Sequence, residues 1–321
     1  DAYRFTLPEL VDPYVNDILV IPNSSGLAPY KFFATQNGLS RLEANNLANP
    51  AEARIWSNWT TAEFTTIPDT IGGFTALEFE PASGSNDNTP YLWIGTESGA
   101  VARCRLVSFH PASCVIWNGC GAGGHTQIGR FPDTPILDIE YIANEEIWVG
   151  SFGDGIAVYD PDGPGDQWTE VQGGQGIPNA FVTSILDDYE NTRVWIGTGD
   201  DSNDSVLATC DYSVANCSYW DEGDTIDPAS GIAQLPKGNI TSIYWVRDGF
   251  TDTDDYIYFS LSPLSTTPNS GGLSRCLRPC TDDTSFELLD TSSFETNHFK
   301  DVVASIRFLY GAPDSGTNAG Y

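Results

Sequence analysis

Along the chain, short apolar stretches are cut apart by Gly, Pro, Asn and Asp. Val15–Ile21 (VNDILVI), Phe74–Phe79, Pro135–Tyr141, Phe181–Leu186 and Ile240–Val246 read as strands, rich in β-branched and aromatic residues. No stretch longer than a turn or two keeps a helical period. The 31 glycines and 20 prolines are spread as turn punctuation and not gathered into a linker. The pattern therefore predicts an all-β chain.

The same pattern repeats. Tyr91–Cys104 (YLWIGTESGAVARC) recurs as Glu146–Asp160 (EIWVGSFGDGIAVYD), and again as Arg193–Gly199 (RVWIGTG) followed by SVLATCD. Tyr30–Leu42 (YKFFATQNGLSRL) and Tyr256–Leu261, with GGLSRC resuming at Gly271, are weaker copies. Aligning Ala34, Gly95, Gly150, Gly197 and Ser260 gives steps of 61, 55, 47 and 63 residues by subtraction. A period of that length with several strands per unit belongs to a β-propeller of four-stranded blades.

Each unit holds a first apolar strand, an aromatic-WIGT strand, a Gly-led third strand and a fourth strand. The fourth is marked by Trp56 and Trp59, Trp117, Trp168, Trp220 or Phe286. The tryptophans read as core aromatics packed between blades and not as a ligand-stacking box.

The expected organisation is a single propeller domain over 1–321. It starts with a fourth-type strand at 1–10, followed by blades at about 11–62, 63–118, 119–171, 172–221 and 222–290. Val302–Leu309 reads as the first strand of a partial, closing or truncated sixth blade within 291–321. The chain begins at Asp1 without a signal peptide, the expectation for a processed chain or a piece of a longer one.

The stretch IPNAFVTSILDDYENTRVWIGT resembles the propeller repeat of two-component-regulator sensor domains. Val182, Thr183, Ser184, Ile185, Asp187, Asp188, Trp195, Ile196, Gly197 and Thr198 carry the likeness, and Asn239–Ile243 (NITSI) repeats its first part. The resemblance implies a fold and no catalytic residues. Half-cystines at blade positions and the absence of a histidine-kinase portion depart from that family, so a sensor role is not implied.

The alignment also orders the seven cysteines. Cys104, Cys210 and Cys276 each end a third strand, and Cys114, Cys217 and Cys280 lie at or before the next fourth strand. The expected bridges are Cys104–Cys114, Cys210–Cys217 and Cys276–Cys280, leaving Cys120 free or bonded to another chain. His110, Cys114, Cys120 and His125 have ligand chemistry but no CxxC knuckle, so the disulfide is preferred to zinc. Sequons at Asn23, Asn58, Asn203, Asn216 and Asn239, beside a repeated disulfide pattern, point to an extracellular or secreted glycoprotein.

Charge narrows the function. Asp and Glu number 44 against 14 Lys and Arg, so 14 − 44 gives −30. That balance opposes nucleic acid and anionic membrane surfaces. No apolar run is long enough to span a bilayer. Asp160, Asp162 and Asp166 offer oxygens for calcium but match no calcium-loop spacing, and no other cofactor is expected. Asp138, Glu140, Asp187 and Asp188 lie near first strands, where a pair could serve glycoside hydrolysis. Nothing in the chain matches a G-x-S-x-G elbow or a phosphate-cradling loop.

The expectation is a non-catalytic scaffold or protein-interaction module, with a protein partner or self-assembly. A carbohydrate-binding or carbohydrate-active propeller and a ligand-sensing receptor ectodomain stand as the alternatives.

Overall fold

A computed structural model describes residues 10–21, 30–44, 54–64, 72–83, 88–107, 109–117, 134–161, 168–171, 177, 180–199, 206–213, 216–221, 223–225, 234–246, 255–263, 271–280, 285–289, 299–305 and 308–313. They form five antiparallel sheets of four strands, each ordered as the chain runs.

Sheet 1 is β1 (Val15–Ile21), β2 (Tyr30–Thr35), β3 (Gly38–Ala44) and β4 (Arg54–Thr60). Sheet 2 is β5 (Phe74–Glu80), β6 (Tyr91–Thr96), β7 (Val101–Arg105) and β8 (Val115–Trp117). Sheet 3 is β9 (Ile136–Tyr141), β10 (Ile147–Ser151), β11 (Ile156–Tyr159) and β12 (Trp168–Val171). Sheet 4 is β13 (Val182–Asp188), β14 (Arg193–Thr198), β15 (Leu207–Asp211) and β16 (Cys217–Trp220). Sheet 5 is β17 (Asn239–Val246), β18 (Tyr256–Ser262), β19 (Gly272–Leu277) and β20 (Phe286–Leu288). A two-stranded sheet, β21 (Phe299–Ser305) and β22 (Phe308–Pro313), follows. This is the blade architecture of a β-propeller with a partial sixth blade.

The last hairpin differs from the single strand that apolar alternation suggested at Val302–Leu309. The chain turns between β21 and β22 instead, and the register explains the assignment. All six first hairpins carry a bulge near the start of the first strand, at its second residue or, in β17, its third: Asn16, Thr75, Leu137, Thr183, Thr241 and Lys300 are each skipped by the ladder. Counted from that bulge, Ala312 of β22 takes the position of Gly95 and Gly197. The run FLYGAP is therefore the second strand of a blade.

The chain divides into two compact units. The first comprises Asp1–Tyr141, Glu145–Ser151 and Ala157–Thr169; the second comprises Ile142–Asn144, Phe152–Ile156 and Glu170–Tyr321.

In the first unit, Phe32, Ala34 and Leu39 of sheet 1 pack on Leu77, Leu92, Ile94, Ala102 and Ile116 of sheet 2. The other face of sheet 2 meets sheet 3 through Trp93, Val101 and Trp117 against Ile136, Ile139, Val149 and Tyr159. Trp93 and Trp117 stack at 5.5 Å, and Trp168 stands edge-on to both. The second unit repeats the device, with Trp195 stacked on Trp220 at 5.6 Å and packed on Phe259 of sheet 5. Ring burial of this kind is the main apolar term holding neighbouring sheets together.

Glycine in the WIGT strand makes the close approach possible. A Cβ on Gly95 would lie 2.6 Å from Ile136 Cγ2, and one on Gly197 would lie 2.5 Å from Ile240 Cγ2.

Candidate functional site

The residues of the VTSI motif tie one first strand to the next. In the second unit, Thr183 Oγ1 donates to the Ile240 carbonyl (2.5 Å) and Ser184 Oγ accepts the Ile243 N–H (3.1 Å). In the first unit Asn16 and Asp17 do the same from β1: Asn16 Nδ2 donates to the Phe74 carbonyl and Asp17 Oδ2 accepts the Leu77 N–H, both at 2.7 Å. The hydroxyl of the bulged Thr183 also lies 3.0 Å from the Gly197 carbonyl of its own sheet, so it stands between the two sheets. Asp138 occupies the position of Ser184 and Asp17, and its Oδ1 accepts the Ile139 N–H at 2.9 Å.

Asp17 and Asp138 belong to a carboxylate group on the first strands of the first unit. Glu78 and Glu140 occupy equivalent places, opposite Trp93 and Trp148. The Glu78 carboxyl is pushed well above its ordinary value, first by burial and then by the negative charge of Glu140, with Asp138 and Asp17 adding smaller pushes. The Phe79 N–H opposes them. The neighbouring negative charges and burial thus both favour the neutral form of Glu78 over the ionised one. Among the described residues, no group of three or more His, Cys, Asp and Glu side chains is arranged to hold a metal ion. Sequence reasoning passed over Glu78 and Asp17, although an acid inside an otherwise apolar first strand was the available signal.

Asp187 and Asp188 lie in the second unit with other partners. Asp187 accepts the Ala143 N–H and the Tyr212 hydroxyl, each at 2.8 Å. Burial raises its pKa, and those two hydrogen bonds work against the rise. Burial and Asp187 in turn hold the Tyr212 hydroxyl protonated well beyond the ordinary phenol range, so it donates.

Asp188, only 1% exposed, takes Arg278 Nε at 3.0 Å and Nη2 at 2.5 Å, Asn191 Nδ2 at 2.9 Å and the Trp195 indole N–H at 3.5 Å. Arg278 also lies 3.9 Å over the Trp245 ring and pairs with Glu190 and Asp255. Sheet 2 builds the same lock from Glu80, the Trp93 indole (2.7 Å) and Arg103 (Nη2 2.5 Å). A buried carboxylate survives only when paired and hydrogen-bonded in this way. The acidic turn of the repeat is thus a tryptophan anchor.

Cys104–Cys114, Cys210–Cys217 and Cys276–Cys280 are joined as disulfides spanning 10, 7 and 4 residues. The first takes Cys114 out of any ligand set with His110, whose Nδ1 accepts the Ala112 N–H. Asn58 and Asn216 are exposed, and Asn216 Nδ2 donates to Asp211 at 2.5 Å. Asn239 is half-buried, with Oδ1 2.7 Å from where a Gly199 Cβ would stand. Asp160 is half-buried at the end of β11. Asn23, Asn203, Cys120, His125, Asp162 and Asp166 fall outside the described residues.

Residues 176–200 match the two component regulator propeller family model. They run through β13 and β14, the ties of Thr183 and Ser184 and the Asp188–Trp195 anchor. No curated protein is detectably similar to the chain in sequence.

Among solved structures, the chain is similar to the extracellular domain of BT3049, assigned to a hybrid two component system of B. thetaiotaomicron. Identity there is 13% over 90% of this chain and 30% of that one, with a TM-score of 0.54. The extracellular domain of BT4673 from the same organism gives 16% identity, 94% and 31% coverage, and a TM-score of 0.52. PorZ, a bacterial surface component of the type-IX secretion system of Porphyromonas gingivalis, gives 12%, 92% and 38%, and 0.57. The chain spans about a third of the length of these proteins, and the likeness is one of fold.

Proposed function

We propose that the chain is a non-catalytic β-propeller interaction module of an extracellular protein. One observation carries the reading: the carboxylates nearest the first strands stand where the repeat places structural ties. Asp138 sits at the position of Ser184, and Asp188 is the anchor of Trp195 and Arg278. A general acid–base pair needs two carboxylates facing a substrate, one protonated and one ionised. Burial and the charge of Glu140 raise the Glu78 pKa, which suits only the acid of such a pair. Three disulfides suit an oxidising compartment. The neighbours named as extracellular domains and as a surface component support the same location. In this reading Asn58 and Asn216 are, among the described residues, the exposed sequons that N-linked glycans would occupy.

A ligand-sensing ectodomain is the second reading, favoured by the match of residues 176–200 to a regulator propeller. The test is incubation with a panel of plant, bacterial and host oligosaccharides, followed by product analysis and calorimetry. The module reading expects no product from any glycan, with Asp138→Asn and Glu78→Gln unchanged in this respect. Product formation abolished by either substitution would make the protein a carbohydrate-active enzyme. Submicromolar binding without turnover would favour the sensor.

A further inference from the structure

Glu80 and Asp188 stand at equivalent places at the ends of the first strands of sheets 2 and 4, each bonded to the indole of the second-strand tryptophan. Their arginines come from different places. Arg103 belongs to sheet 2 itself and lies across from Trp93 in the ladder. The residue across from Trp195 in sheet 4 is Thr209, 1% exposed, whose hydroxyl finds no hydrogen-bond partner among the described residues. Sheet 4 therefore buries a carboxylate without an arginine of its own at that place. Arg278, just beyond β19 of sheet 5, supplies the cation.

Arg278 stands inside the smallest of the three disulfide loops. Only Leu277, Arg278 and Pro279 separate Cys276 from Cys280. Cys276 is held in the sheet, across from Ile257 and Phe286. The Cys280 N–H returns to the Leu277 carbonyl and the Arg278 N–H donates to the Asp255 carbonyl, both at 2.9 Å. A loop this short leaves its backbone few alternatives, and the Arg278 side chain, 8% exposed, is aimed over Trp245 at Asp188. Arg103 has no such dependence: it is fixed in the β7 ladder and precedes Cys104, outside that loop.

We infer that the Cys276–Cys280 disulfide is a redox-sensitive lock on the contact between sheets 4 and 5. Closed, it holds Arg278 on Asp188; opened, it frees the arginine and leaves a buried carboxylate with Asn191 and the Trp195 indole alone. Losing one partner of a buried ion pair is strongly destabilising, so the opened state loosens sheet 4. Opening consumes a dithiol. One of its thiolates attacks a sulfur of the bridge to form a mixed disulfide, and its second thiolate displaces that cysteine. The dithiol loses two electrons and two protons and becomes a disulfide, while Cys276 and Cys280 both end as thiols. The half-cystines are 0% and 2% exposed, so the loop must open before attack, and the bonds of Arg278 oppose that opening.

Coupling of this kind is reciprocal: the arginine must favour the disulfide as much as the disulfide favours the arginine. The test equilibrates the full chain in dithiothreitol redox buffers, alkylates it, and reads each cysteine pair by peptide mass spectrometry. Arg278→Gln should lower the oxidised-to-reduced ratio of Cys276–Cys280 about tenfold, with Cys104–Cys114 and Cys210–Cys217 unmoved. Asp188→Asn should lower it as well, and combining the two substitutions should add little. A ratio that ignores Arg278→Gln overturns the inference. So does an equal shift of all three pairs, which would assign the effect to general loss of stability. Amide hydrogen exchange on the Cys276→Ala/Cys280→Ala chain gives an independent reading. Exchange in β14, around Trp195, should quicken about tenfold while β6, around Trp93, keeps its protection. Unchanged protection of β14 would also overturn the lock.

Discussion

Glu78 is a residue whose chemistry departs from its free behaviour. Burial raises its pKa in the folded chain, and Glu140, Asp138 and Asp17 raise it further. On unfolding the carboxyl returns to its ordinary 4.5. The folded state therefore binds this proton more tightly than the unfolded state. Its contribution to stability is fully present below about pH 4.5 and is lost as pH climbs through the folded-state value. Glu78→Gln removes the titration and keeps the shape. Thermal melts should find variant and parent alike near about pH 4, with the variant increasingly the more stable towards about pH 8. A difference independent of pH would mean that Glu78 ionises normally. Asp188 has a different solution, an arginine fork and an indole N–H.

At the scale of elements, the sequence was legible wherever a pattern repeats. Tryptophan spacing, the Gly-led third strands and the cysteine pairs could all be read because five copies overlay one another. The role of Thr183 and Ser184 was not legible, because the bulge that turns them towards the neighbouring sheet leaves no mark in apolar alternation. The division into β21 and β22 was missed for a similar reason: VVASIRFL holds no Gly or Pro to mark it.

The glycine of the second strand makes an element-scale prediction. Gly95→Ala and Gly197→Ala should each destabilise by about 1–3 kcal/mol through overpacking, measured by urea denaturation. Combining Gly95→Ala with Ile136→Ala should recover part of the loss, because the clash is with Ile136 Cγ2 at 2.6 Å. Strict additivity of the two substitutions would refute direct contact as the cause.

For the whole molecule, charge decides the response to salt. Exposed pairs such as Arg275–Glu287 weaken when screened, and each contributes at most about 1 kcal/mol. Repulsion within a chain of net charge −30 weakens too, and with 44 acids against 14 basic residues it is the larger effect. Raising sodium chloride from about 0.01 M to about 0.5 M should therefore raise the melting temperature. A fall would show that local ion pairs outweigh the global field.

The disulfides carry a consequence for production of the protein. Each closes within a single hairpin, across 10, 7 or 4 residues, and none links one sheet to another. A chain whose hairpins had assembled in the wrong order could still oxidise completely, since every half-cystine would find its partner nearby. A thiol assay reading zero for these six cysteines thus certifies hairpins and says nothing of sheet order. Native assembly has to be checked on bonds that cross between sheets, such as Arg103 to Tyr159 or Arg278 to Asp188.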